Sequence, residues 1–200
     1  MMKNRVKSAF TDNKVAIIAS IIILFSSLII GYYFADSLNV FLNPIAEEMT
    51  KNVKNGTIQL TFKSLFSNNI KIVFLMFLLG VVFCFSAVIL AFNGLFVGYY
   101  VGNADDLQNA LLLIVPHGIF EFSSCILACA SGFVLFRFVL NFFKTLINDN
   151  NLINAYNENA DKLIQAVILL MIAVILMVIA GVIEAYLTIP IADFISSILS

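Results

Sequence analysis

One histidine and one acid stand four residues apart in the stretch Pro116 to Phe122, PHGIFEF, within a run, Leu107 to Phe136, that holds no other charged residue. At that spacing His117 and Glu121 share one helical face if the helix continues past Pro116. Such a pair can carry a proton, hold a cation or hydrogen-bond another helix. Ionisable groups are costly in lipid and usually face a protein interior or a watery cavity, so His117 and Glu121 define a candidate site.

Two further polar residues in apolar runs could join them, Asn93 and Glu184, the latter about one turn before Thr188 and Pro190. A zinc site needs three or more protein ligands, and a single histidine leaves it short. The H-E-x-x-H pattern of zinc proteases is absent. Ser123 and Ser124 follow His117 closely, but nothing orients them as a triad. The expectation is therefore no enzyme, no metal and no cofactor. In the plainer reading the cluster is structural: Pro116 bends the backbone and His117 and Glu121 satisfy the freed groups or pair with Asn93 or Glu184. Small residues, among them Gly118, Ser124, Ala128 and Gly132, then allow helices to approach closely.

The elements that must position these groups are membrane spans. Of 200 residues, 62% are hydrophobic and 12% charged, and the mean hydropathy is +1.02. No soluble domain presents such a surface. Four apolar stretches, Val15 to Ala35, Ile72 to Ala104, Leu107 to Phe136 and Leu163 to Ile183, each reach the roughly 20 residues that a spanning helix needs. Lys3, Arg5, Lys7 and Lys14 precede the first and place the N-terminus in the cytoplasm. The net charge of −1 and the lack of any other basic block leave no footprint for nucleic acid. Cys84, Cys125 and Cys129 lie in apolar runs and read as small packing residues.

Ile72 to Ala104 is too long for one straight crossing, since its 33 uncharged residues would make a helix of about 50 Å against a hydrocarbon core of about 30 Å. Gly80, Asn93, Gly94, Gly98 and Gly102 are the places where it could break, and Asn93-Gly94 is the strongest turn dipeptide among them. If the segment crosses twice, Arg137, Lys144 and Lys162 join the four N-terminal cations inside, against Lys51, Lys54, Lys63 and Lys71 outside. That balance suits the positive-inside rule. The expected fold is an all-α, polytopic transmembrane bundle of about five crossings, with four as the alternative. The spans fall near 15–35, 72–90, 91–104 (short or re-entrant), 110–136 and 163–187. Between the first two, Phe41, Ile45 and Met49 predict an extracytoplasmic amphipathic helix stopping near Gly56, followed by an interfacial lead-in through Ile58 and Leu60. A polar loop is expected over Asn148 to Asn159, and an interfacial tail beyond Pro190.

Read in order, FSNN (Phe66 to Asn69), FLLG ending at Gly80, FNG (Phe92 to Gly94), PHGIFEF, Gly132 and IEAYLTIP (Ile183 to Pro190) resemble the stage II sporulation protein M family over roughly residues 10 to 190. PHG-x-x-E is the most specific element. The resemblance implies an integral protein of about five crossings, with Pro116, His117, Gly118, Glu121, Glu184 and Asn93 as its intramembrane polar motif and Gly94 and Gly132 as packing positions. In spore formers the family's namesake anchors a peptidoglycan-degrading complex during engulfment. The function it implies here is a scaffold in the cell membrane, whose partners are the lipid bilayer, other membrane or envelope proteins and a second copy of the chain. A transporter or channel subunit using the His/Glu cluster is the alternative.

Overall fold

The computed structural model describes residues 2–54, 62–82, 85–149, 151–188, 190–191 and 194–195. The expected stop at Gly56, the lead-in at Ile58 and Leu60, Cys84 and most of the tail beyond Pro190 lie outside them. The described residues form seven α-helices: α1 (Met2–Thr11), α2 (Lys14–Tyr33), α3 (Ala35–Lys54), α4 (Phe62–Leu78), α5 (Phe85–Gly102), α6 (Leu107–Asp149) and α7 (Leu152–Tyr186). A single 3-10 turn, Leu79–Val81, follows α4.

Four of these helices, α2, α5, α6 and α7, are long and apolar enough to cross a membrane, and Ser67–Val81 is a shorter apolar helix. Large aliphatic side chains such as Ile22, Val88, Ile119 and Ile175 point outward, while Ser20, Ser86, Ser124, Ser131, Ala128 and Ala173 are buried between helices. Small groups inside and bulky ones outside suit a bundle whose solvent is lipid, because close helix approach replaces the hydrophobic effect as the source of packing energy.

Helices α2 and α5 run parallel and nearly touch. Gly94, Gly98 and Gly102 fall on one face of α5, and a Cβ at each would press on Leu24, Leu28 and Tyr32 of α2 in turn. Gly31 of α2 returns the contact against Leu95 and Tyr99. Asn93-Gly94, expected as a turn, is therefore the interior of an unbroken helix. In lipid a turn would strand backbone groups that water satisfies elsewhere, whereas a glycine in a helix admits a neighbouring backbone.

The break lies instead at Gly80. Val82 is extended, and its N–H and that of Phe85 donate to Leu79 and Val82 carbonyls. The Ser86 hydroxyl donates to the Met76 carbonyl, supplying a partner for one of the acceptors that the end of α4 leaves open. Beyond this turn α5 returns beside α4, with Asn68, Asn69 and Ile72 sharing a cavity wall with Val88, Asn93 and Val97. The two helices form an antiparallel hairpin.

Helix α6 passes through Pro116 without stopping and, at 43 residues, is about 64 Å long; α7, at 35 residues, is about 52 Å. Both outrun a 30 Å core. The expected polar loop at 148–159 is mostly helix. Asn151 caps α7 by accepting from the N–H groups of Ile153 and Asn154, and Asn159 donates to Thr145 of α6 at 3.3 Å and to the Ala155 carbonyl. The asparagines that suggest a loop thus cap and join a helical hairpin.

At the other end of α2, the buried Asn13 amide donates to the Ala9 carbonyl and to Gln165 Oε1, both at 2.9 Å, and Gln165 donates to Asp12 Oδ2. This pins α1 and the start of α2 to α7. The α6–α7 interface forms the main core, with Cys125, Cys129 and Val134 packed on Leu169, Ala173 and Met177.

Candidate functional site

Helix α6 carries His117 and Glu121 on one face, and the residues following α7 bring Thr188 against them. His117 Nδ1 lies 3.3 Å from Thr188 Oγ1, and Nε2 lies 3.9 Å from Glu121 Oε2. The Thr188 hydroxyl also sits 3.1 Å from the Ile183 carbonyl, to which it donates. Its single hydrogen is thereby spent, so the Nδ1 position of His117 must be the donor in the histidine–threonine contact. Nε2 then faces Glu121 at a separation beyond a hydrogen bond, and the two form an ion pair only when the ring is protonated at both nitrogens. Glu184 of α7 is near enough for its charge to act on Glu121.

Asn93 approaches from α5, and its amide donates to Cys125 Sγ at 3.6 Å, one turn along α6 from Glu121. Glu121 also lines a cavity of about 530 Å³ with Asn68, Asn69 and Asn93. The sequence-predicted residues thus fall into two groups that share Glu121. One is His117, Glu184 and Thr188 with Glu121; the other is Asn93 and the α4 asparagines with Glu121. Thr188, read from the sequence only as a helix-end marker, is the residue that positions the imidazole. Asn68 and Asn69 carry no role in the sequence reading, although the FSNN motif contains them.

The remaining predicted positions are structural. Pro116 remains inside α6 and lines an apolar cavity of about 450 Å³ with Leu111, Val115 and Ile183. Gly132 is pressed by Ser86 and the Met76 carbonyl, and Gly94 by Ser27 and the Leu24 carbonyl. Gly118 differs from the expectation of close helix packing: a Cβ there would meet only Ile114 and Phe122 of its own helix, at 3.5 and 3.6 Å. A Cβ there would have only ordinary van der Waals contacts, so no neighbouring backbone requires glycine at this position.

Ser123 donates to the Ile119 carbonyl at 2.7 Å, and Ser124 donates across the interface to the Ala173 carbonyl at 2.6 Å. Both hydroxyls serve backbone oxygens rather than His117. Among the described residues, no three of His, Cys, Asp and Glu come together as a metal-holding group.

Helix geometry fixes how deep the cluster lies. From His117 to Arg137 is twenty residues of helix, about 30 Å, and from Lys162 to Glu184 is about 33 Å. His117, Glu184 and Thr188 therefore stand one hydrocarbon thickness away from the basic end of the bundle. They stand at the opposite end of the spanning stretch, with Glu121 about one turn further along α6 toward the basic end.

Comparison with known proteins identifies the family. The family model described as Stage II sporulation protein M matches residues 20–189. Two relatives come from Methanocaldococcus jannaschii. Uncharacterized protein MJ0793 is 30% identical over 189 residues, which is 90% of this chain and 98% of the relative. Uncharacterized protein MJ0706 is 29% identical over 205 residues, 98% of this chain and 91% of the relative. No solved structure matches the chain. The aligned span takes in FSNN, FNG, PHGIFEF and the IEAYLTI segment, the same pieces that meet around Glu121, and the chain belongs to the Stage II sporulation protein M family.

Proposed function

We propose that this protein is a membrane anchor that recruits another protein through the α6–α7 hairpin where it leaves the bilayer. The supporting observation is a set of apolar side chains beyond the basic boundary. Leu140, Phe143 and Ile147 of α6 and Leu152, Ile153 and Tyr156 of α7 are all exposed, with Ile147 at 74% and Ile153 at 71%. These positions extend from just past Arg137 to about three turns beyond it, and exposed apolar side chains gathered at one hairpin tip mark an interaction site.

The chain path supports a cytoplasmic place for the hairpin. With the N-terminus inside, α2 crosses outward, the α4–α5 hairpin crosses in and out, α6 crosses inward and α7 outward. Seven cations then lie inside, against Lys51 and Lys54 outside and Lys63 and Lys71 on α4 itself, and the hairpin tip is cytoplasmic. Helix α3 rests on the opposite side, holding Leu42 and Asn39 against α5, with the Tyr99 hydroxyl donating to Asn39 at 2.8 Å.

The work of this surface is binding rather than catalysis. A photo-crosslinking residue at Ile147 should yield a discrete protein adduct in native membranes, and one at lipid-facing Ile18 should not. Equal patterns at both positions would refute the anchor reading. A second reading, a transporter or channel subunit, draws support from the His117–Glu121–Glu184 cluster at the outer boundary. Solute or ion flux into liposomes, abolished by Glu121→Gln, would favour it instead.

A further inference from the structure

The cavity between α4 and α5 is lined by a few polar groups and a larger number of apolar ones. Asn68, Asn69, Asn93 and Glu121 come from three helices to its wall, and Ile72, Val88, Phe92 and Phe96 make up much of the rest. Val88 and Phe92 are more than half exposed, and they lie on the lipid side of a spanning helix. The cavity therefore opens toward the bilayer. Ile45 of the amphipathic helix α3 closes part of its outer side.

A mostly apolar pocket with a few convergent polar groups has the composition of a ligand site. Here those groups are one carboxyl and three carboxamides, and among the described residues the lining contains no basic side chain. That set favours a donor-rich cation over a phosphate or a carboxylate. An ammonium brings three N–H donors, which the Glu121 carboxylate and amide oxygens can accept. His117 does not consume this capacity, because it stands 3.9 Å from Glu121.

We propose that this cavity binds a lipid bearing a primary amine, with its ammonium at Glu121, Asn68, Asn69 and Asn93 and its hydrocarbon chain along Phe92 and Phe96. A lipid fits better than a free polar amine because most of the lining is apolar and Val88 and Phe92, which belong to it, are exposed on a helix long and apolar enough to span. Motifs that lie far apart along the chain thus serve one pocket: FSNN and FNG supply the amides, and PHGIFEF supplies the acid.

The test uses the full-length protein in phosphatidylcholine nanodiscs with two photoactivatable probes, a C16 alkyl primary amine and the C16 alcohol of the same chain. The amine should label peptides from α4 and α5 saturably, in competition with unlabelled hexadecylamine and not with butylamine. Glu121→Gln should cut amine labelling at least about tenfold, the expected loss of a charge-assisted contact. Val97→Trp, which fills the cavity and keeps the acid, should do the same. Should Glu121→Gln fail to fold, Val97→Trp and the amine-to-alcohol ratio in the wild type decide. Equal labelling by amine and alcohol would overturn recognition of the head group. Labelling unaffected by either substitution would overturn the site, and displacement by butylamine would overturn the lipid as its source.

Discussion

A Cβ on Gly80 would lie 2.6 Å from the carbonyl oxygen of Gly132, so the turn between α4 and α5 rests backbone to backbone on α6. This contact allows the segment to reverse inside the membrane. Ala at Gly132 should destabilise the protein by about 1–3 kcal/mol, the usual cost of overpacking, and Leu should prevent assembly. Ala at Gly118, where a new Cβ finds ordinary contacts at 3.5 Å or more, should be neutral or stabilising by up to about 1 kcal/mol. Thermal unfolding in detergent distinguishes the two glycines; equal losses would contradict the packing described.

The Asn13–Gln165 hydrogen bond joins residues 152 positions apart and is buried. Asn13 Oδ1 is itself buried and, among the described residues, has no partner. Replacing Gln165 with Leu should cost about 1–3 kcal/mol because the Asn13 amide hydrogen then loses its acceptor in a buried site. Asn13→Ala in addition should cost little more. Additive losses in the double variant would show that the two side chains act independently.

Thr188 holds His117 by one contact, and Thr188→Val should lower stability by about 1 kcal/mol, the net worth of a typical hydrogen bond. His117→Gln, at normal membrane levels, should leave partner capture intact, since the proposed docking surface lies about 30 Å or more away. Partner loss without loss of folded protein would tie the polar cluster to recruitment.

Topology is open to direct chemistry. In a background without the native cysteines, a cysteine at Lys144 should react with a membrane-impermeant maleimide only after permeabilisation. One at Asp105 should react in intact cells. Reaction at Lys144 from outside would exclude the five-crossing path.

The all-helical bundle and its lipid setting follow from the amino-acid sequence, because long uncharged runs leave few alternatives. The i, i+4 pairing of His117 and Glu121 was equally legible, as its geometry is local to one helix. Where Ile72 to Ala104 breaks was not. Asn93-Gly94 has the stronger local turn signal, but Gly80 faces Gly132 from another helix, and local propensity does not contain that contact. Gly94, Gly98 and Gly102 recur every four residues, a signal for close helix packing that is easily read as a series of weak points. The Asn148 to Asn159 stretch reads as a loop from composition alone; only the facing Thr145 and the cap at Asn151 give its asparagines helical roles. Thr188 and the α4 asparagines join the site through tertiary folding, and chain order alone gives them no common place.

The most direct test of recruitment is quantitative co-purification from native membranes in mild detergent, comparing wild type with the Phe143→Glu, Ile147→Glu double variant. Both residues are exposed and outside the core, so the variant should fold normally. The account predicts a stoichiometric protein partner with the wild type and at least about tenfold less with the variant, since losing two apolar anchors and placing charge in an interface costs more than 1.4 kcal/mol. An identical set of bound proteins for both, at equal amounts of folded bait, would contradict it.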